Sequence, residues 1–323
     1  MDSLRNMQGM NQGAKIVILG GTGFVGQGLR DFLGPKSVTL LHSRTRGPSG
    51  YDVASGWMDV ETLRGADAII NLAGSPIAVR WTAKSRDEIQ TSRAGTTNLL
   101  VDSLNRAGIT PRVVVSMSGI NRYAAHAEAE LDETAPLDDS TFLGGVCRDW
   151  EAPLARLSPA TRTVILRTGV VIGSGGALEK MKPVFNLGLG GRIGSGKQWM
   201  SWIGRYDLCR LVHRCLSDKG PAGVVNAVHP HPVRNLEFTA TLGRVMRRPT
   251  ILPAPACALH AIFGQMAEET LLSSRRVVPA SALREGFRFD SKADALGFAI
   301  EVGLTGMSPQ HRELMRRRLD GSL

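Results

Sequence analysis

The apolar run Lys15-Ile16-Val17-Ile18-Leu19 leads directly into glycines at positions 20, 23 and 26, and Leu29, Phe32 and Leu33 follow at helical spacing. No other feature constrains the fold so tightly. In a strand–turn–helix of this kind the first glycine permits a tight turn. The second lets backbone N–H groups approach a pyrophosphate, and the third lets the helix pack closely on the strand. The phosphates then sit at a helix N-terminus, where unpaired N–H groups and the macrodipole favour anions. Gly20, Thr22, Gly23, Phe24, Val25 and Gly26 are therefore the expected cradle of a nucleotide. Three glycines can also mark an ordinary turn, but the strand before them and the helix after them agree on the nucleotide.

The next strand suggests which nucleotide. Ser37 to Leu41 is apolar and β-branched, and it ends in His42-Ser43-Arg44-Thr45-Arg46. A fold that prefers NAD usually places an acidic residue here to bind the ribose 2′-hydroxyl. A hydroxyl from Ser43 with two guanidinium groups, Arg44 and Arg46, instead suits a 2′-phosphate, because arginine offers charged, bidentate donors. The alternative is that both arginines are solvated loop charges. Their position favours NADP.

Beyond this point strands and helices alternate. Ala66 to Asn71, Arg112 to Ser116, Thr163 to Arg167 and Val224 to Asn226 read as strands, and Lys84 to Asn105 carries helical spacing. That alternation predicts an α/β fold, a Rossmann-type doubly wound parallel sheet covered on both faces. Glycine is dense from Gly169 to Gly196, where the regular pattern lapses. The expected organisation is a loose tail over 1–13 and a nucleotide-binding domain over 14–172 with about 205–228. A smaller C-terminal substrate lobe takes 173–204 and 229–323.

With 42% hydrophobic and 21% charged residues in a chain of 323, the composition is that of a globular protein. No apolar run is long enough for a membrane span, and Met1 to Gly13 lacks the apolar stretch of a signal peptide, so a cytoplasmic location is expected. The formal charge of +10 raises the question of nucleic acid. The basic residues are dispersed, however, as at Arg247-Arg248 and Arg275-Arg276, and aromatic residues are only 5%. They read as solvated surface, and no nucleic-acid or membrane partner is expected. Cys147, Cys209, Cys215 and Cys257 form no CxxC pair, and His229 and His231 read as part of a loop beside prolines, so no metal is expected.

Many short segments in order resemble the short-chain dehydrogenase/reductase superfamily, in its extended or atypical branch of NAD(P)-dependent nucleotide-sugar epimerase-like proteins. They include the glycine loop, Asn71-Leu72-Ala73-Gly74, Ser92-Arg93 with Thr96-Thr97, Cys147-Arg148-Asp149-Trp150-Glu151 and Leu166-Arg167-Thr168-Gly169. Gly194-Ser195-Gly196, Arg276-Val277-Val278-Pro279 and Gly286-Phe287-Arg288-Phe289 extend the likeness through the C-terminal part. The resemblance implies that Leu72, Ala73 and Gly74 lie along the cofactor and that Asp59 flanks its adenine. It also draws Glu88 and Arg93 toward the cofactor and places Ser116 or Ser118 at the end of the fifth strand of such folds.

The chemistry departs from that family's pattern. A catalytic member carries a Tyr-x-x-x-Lys pair, the lysine lowering the tyrosine pKa while the tyrosine moves a proton. Counted back from Glu151, those positions hold Leu143 and Cys147. The helix itself reads poorly, with Gly144-Gly145 inside it and Pro153 close behind. Ser118 remains, and Tyr123, Arg148 or a substrate hydroxyl are the available substitutes for the acid. Lys197, Gln198, Trp199 and Trp202 could hold a polar ligand or simply anchor the lobe, and Asp207 and Asn235 read as helix N-caps. Two functions follow. One is an NADP(H)-dependent oxidoreductase or epimerase-like enzyme for a small polar, nucleotide-sugar-like molecule; the other is a catalytically quiet NADP(H)-binding sensor or scaffold.

Overall fold

The computed structural model describes residues 14–126, 128–290 and 294–320. The tail expected over 1–13 lies outside them. Eight strands form the main sheet: β1 (Ile16–Leu19), β2 (Val38–Ser43), β3 (Gly50–Asp52), β4 (Trp57–Met58), β5 (Ala68–Asn71), β6 (Val113–Gly119), β7 (Arg162–Thr168) and β8 (Gly223–Ala227). Their order is β8-β7-β6-β5-β1-β2-β3-β4. Neighbours run parallel except for the β3–β4 pair at the edge. The chain moves outward from β1 to β4 and then returns to place β5 on the other side of β1. That reversal opens a crevice at the carboxyl ends of the strands, where open α/β sheets bind ligands.

Nine helices matter here: α1 (Phe24–Leu33), α2 (Ala83–Gln90), α3 (Thr96–Arg106), α4 (Phe142–Glu151), α5 (Gly176–Asn186), α6 (Arg205–Leu216), α7 (Asn235–Met246), α8 (Ala256–Phe263) and α9 (Ala295–Thr305). All four residues of β1 are buried, because helices cover both faces of the sheet. Ile16 and Ile18 pack with Leu29, Leu208, Leu211 and Val212 on the α1–α6 side. Val17 and Leu19 pack with Leu100, Val101 and Leu104 on the α3 side. Truncating one of these, as in Ile18→Ala, should cost about 2–5 kcal/mol through lost burial and the cavity left behind. A separate cluster of Leu178, Phe185, Phe238, Leu242, Leu296 and Ile300 joins α5, α7 and α9.

Several local expectations need correction. The α4 segment is a regular ten-residue helix whose N-cap, Thr141, accepts from the Gly144 N–H. Gly144 is there for space, since a Cβ would run into the Asp138 carbonyl oxygen, and Pro153 falls in the 3-10 turn after the helix. Asp207 is not a cap. It lies inside α6, buried, with its carboxyl pushed up by burial and held by Arg210 at 2.7 Å. Asn235 is likewise the first residue of α7, and its side-chain Oδ1 accepts from the Ile193 N–H.

Candidate functional site

The glycine loop divides its labour as the spacing predicts. Gly20 has φ +76°, and a Cβ on it would stand 2.8 Å from the Leu72 carbonyl, so the turn after β1 leans directly on the segment after β5. A Cβ on Gly26 would stand 2.5 Å from Gly20 O and Gly21 Cα, which fixes the close approach of helix and strand. Gly23 is different: its Cβ would meet only Gly20 O, at 3.3 Å. Its free side is the room a pyrophosphate needs. Gly23 is also the N-cap of α1, with no side-chain cap bond and no acidic residue in the first turn, so the opening N–H groups are left for an anion. Thr22 is exposed on the loop, Val25 packs into the core and Phe24 turns toward Gly173–Gly176, so any contact of these last two with phosphate is through the backbone.

At the end of β2, Ser43 and Arg44 are exposed, and Arg44 sits in the left-handed region at φ +57° with no carboxylate partner among the described residues. Arg46 is instead paired with Asp52, Nε to Oδ2 at 3.1 Å. Leu72, Ala73 and Gly74 leave β5 as expected, and a residue given no role in the sequence shapes them. Buried Asn71 accepts from the Ala73 N–H at 3.2 Å and donates to Thr97 at 2.9 Å. Arg93 lies against Gly74, where a Cβ would be 3.0 Å from the guanidinium carbon. It sits in a π-helical turn, Thr91–Gly95, and donates to Ser75 O. Burial pulls its pKa down, and no carboxylate partners it among the described residues. A buried, unpaired cation beside the strand ends suits an anionic ligand.

Three other residues expected near the cofactor stand as follows. The Asp59 carboxylate is committed to Thr62, to Ser49 N–H and to Glu61 N–H, capping a one-turn helix, and the Thr62 hydroxyl leads in holding it below the usual carboxylate range. Glu88 is exposed on α2 and forms no ion pair among the described residues. Ser116 is fully enclosed within the sheet, beneath the site rather than on it.

The end of β6 carries the polar chemistry. Ser118 donates its hydroxyl to Glu151 Oε1 at 2.6 Å, and Arg167 clamps the same carboxylate through Nε at 2.9 Å and Nη2 at 2.7 Å. Burial works against the Arg167 charge, but the bonds and charge of Glu151 outweigh it and raise its pKa. Tyr123 is fully buried and donates to Asn226 Oδ1 at 2.8 Å, with Arg167 over its ring. Its phenol is a bond in the core, which corrects the acid role expected of it. Arg148 is tied to Asp149 at 2.8 Å at the surface. Leu143 and Cys147 are buried, and burial, with Glu151 nearby, pushes the Cys147 thiol up to about 11, so no fixed charge replaces the missing lysine.

One participant came from far away in the sequence. The Glu269 carboxylate accepts from Phe142 N–H at 3.1 Å and Leu143 N–H at 2.8 Å, so the C-terminal segment caps α4 at the tyrosine-equivalent position. In the lobe, Gln198 bonds Ile193 O and Leu271 O, Trp199 lies between Arg234 and Arg276, and Trp202 stacks on His229. These are anchoring contacts.

Residues 16–227 match the family model of the NAD dependent epimerase/dehydratase family. The chain belongs to that family. Residues 254–292 match a domain of unknown function, DUF1731. The epimerase family protein SDR39U1 of Homo sapiens is 35% identical over 285 residues, 85% of this chain and 95% of the relative. Epimerase family protein MT2273 of Mycobacterium tuberculosis is 35% identical over 88% of this chain and 97% of its own length. The crystal structure of the human protein with NADPH superposes with TM-score 0.79 at 33% identity, covering 90% of this chain and 99% of that one. A nucleoside-diphosphate sugar epimerase from Corynebacterium glutamicum gives TM-score 0.70 at 27% identity, over 96% of this chain and 65% of that one. The human structure thus shares this chain's fold over most of its length.

Proposed function

We propose that this epimerase-family chain binds NADP(H) and acts as an oxidoreductase or epimerase-like enzyme on a small polar substrate of nucleotide-sugar type. Cofactor binding is supported by the open side of Gly23, the exposed pair Ser43 and Arg44, and the human relative crystallised with NADPH. The cofactor supplies hydride transfer. The observation that carries the enzyme reading is the charged network at the end of β6. Ser118 already donates to Glu151, so its free lone pairs can accept a proton from a substrate hydroxyl while its own proton moves toward the carboxylate that Arg167 holds. The reverse transfer serves a carbonyl. The buried, apolar pair Leu143 and Cys147 favours a second reading, a quiet NADP(H) sensor.

We assign the work to the cytoplasm, without a nucleic-acid or membrane partner; among the described residues no helix is long and apolar enough to cross a membrane. The deciding experiment incubates NADPH-loaded protein with a panel of nucleotide sugars and simple carbonyls and follows absorbance at the nicotinamide band and product by mass spectrometry. Turnover that Ser118→Ala removes supports the enzyme. Tight NADPH binding with no turnover across the panel, and none gained in Leu143→Tyr/Cys147→Lys, gives the site to the sensor.

A further inference from the structure

Phe24 reaches furthest from the glycine loop. Its ring lies on a bed of glycines, where Cβ atoms at 173, 175 and 176 would stand 3.2, 3.0 and 2.7 Å from ring carbons. Arg205 closes the other side. Its guanidinium carbon is 5.0 Å from the ring centroid, and Nη1 donates to Ser174 O at 3.0 Å and more weakly to Phe24 O at 3.4 Å. Its stem fills further glycine space: a Cβ on Gly28 would be 2.9 Å from Arg205 Cδ, and one on Gly173 would be 2.8 Å from Arg205 Cβ. Four glycines make room for one phenylalanine and one arginine.

The place is an unfavourable one for a cation. Arg205 is the first residue of α6, where the helix dipole disfavours positive charge, and it forms no ion pair among the described residues. A cavity of about 1100 Å³, also lined by Asp31, Asp207 and Arg210, lies against it, so packing does not hold its outer side either. What fixes the guanidinium is the Phe24 ring and the two carbonyls. Those contacts join the first residue of α1 to the loop that opens α5. The Ser43 and Arg44 end of the cofactor cleft makes no bond to Arg205.

We infer that Arg205 is a positioning residue for one half of the cofactor: by clamping Phe24 it holds the N–H groups that open α1 in register with the pyrophosphate, and it leaves the 2′-phosphate end untouched. The inference rests on the NADP(H) reading above. It predicts that the two halves of the cofactor respond differently to one substitution, which a general loss of structure would not produce.

The test titrates two probes by calorimetry, NADPH and 2′-AMP, which carries the adenosine and 2′-phosphate but no 5′-phosphate, pyrophosphate or nicotinamide. In Arg205→Ala, NADPH should bind about tenfold more weakly, while 2′-AMP changes by less than about twofold. Arg205→Lys should fall between, because lysine keeps the charge but loses the planar face that stacks on Phe24. Phe24→Leu should reproduce the split, and with the lysine variant it carries the test if Arg205→Ala does not fold. Equal losses for both probes would reduce Arg205 to a structural brace, and unchanged NADPH affinity would remove it from the site. If wild-type protein binds neither probe, the cofactor reading fails and this inference fails with it; if it binds both and the variants do not split them, only the inference fails.

Discussion

The glycine loop and the Ser118 network stand at the carboxyl ends of β1 and β6, with β5 between them, yet they are built in opposite ways. At the loop the backbone is the functional surface: Gly20, Gly23 and Gly26 matter for what they lack, and all lie within seven consecutive residues. At the end of β6 the functional groups are side chains drawn from positions 118, 151 and 167, with Glu269 setting the helix beside them. A site made of backbone is encoded where it stands, and a site made of side chains is encoded wherever the fold brings them from.

The largest effect expected from this contrast separates two glycines three residues apart. Gly23→Val should lower NADPH affinity by at least about 100-fold, roughly 2.7 kcal/mol, with an unchanged melting temperature. Gly23 has φ −75° and ψ 176°, which valine adopts readily, and its Cβ meets nothing closer than Gly20 O. Gly26→Val should instead fail to fold, because its Cβ would strike backbone on two residues. Calorimetric melting of both variants beside NADPH titration checks this. A Gly26 variant that melts like wild type would erase the distinction between binding glycine and packing glycine.

Legibility in the sequence follows the same division. Six of the eight strands of the sheet and the glycine loop could be read because apolar runs bury both faces of a parallel sheet and because glycine spacing is local; the short edge strands β3 and β4 gave no such run. The 2′-phosphate reading drew on both Arg44 and Arg46, but only Arg44 is unpaired; Asp52, six residues beyond Arg46, was the missed signal. The capping role of Asp59 was missed, although a carboxylate two or three residues before donors reads as a cap and Thr62 stands at that spacing. Tyr123 misled because chain position does not show burial. Glu269 had no local signal at all: its partners, Phe142 and Leu143, are more than a hundred residues away.

At the side-chain site, Ser118→Ala should lower any turnover by about ten- to a thousandfold, the range for losing one hydrogen bond at a developing charge, while NADPH affinity stays within about twofold. Glu151→Gln should behave differently, since it leaves the nearly buried Arg167 without its anion; a loss of stability near 3 kcal/mol is expected, read by denaturant unfolding. If Glu151→Gln is as stable as wild type, the ion pair is not the element that holds this site together.

A smaller effect is expected at the other end of the cofactor. Arg44→Ala should weaken NADPH by about tenfold, 1.4 kcal/mol, and leave NADH unchanged, whereas Arg46→Ala should do much less because Arg46 is already held by Asp52. Fluorescence titration of both cofactors against both variants measures it. Equal losses from the two substitutions would mean that Arg46 leaves Asp52 to meet the phosphate.

The smallest effect comes from a third polar cluster, one assembled over long range like the Ser118 network but kept for folding alone. His229 is buried against Trp202, its Nδ1 accepts from the His231 N–H at 3.2 Å, and its Nε2 then carries the proton given to Asp290 O at 2.7 Å. A second proton on Nδ1 would break the first of these bonds, and burial lowers the His229 pKa from its ordinary 6.5, as it does that of His213. Both folded values lie below the unfolded one, so below about pH 6.5 the unfolded chain binds more protons than the folded chain. The stability these rings contribute is therefore complete above pH 6.5 and is lost as pH falls toward their folded pKa values. Melting at pH 7.5 should be higher than at pH 5.5, and His229→Gln should make that difference smaller. A variant with the full wild-type pH slope would move the titration to other groups and leave His229 with a packing role only.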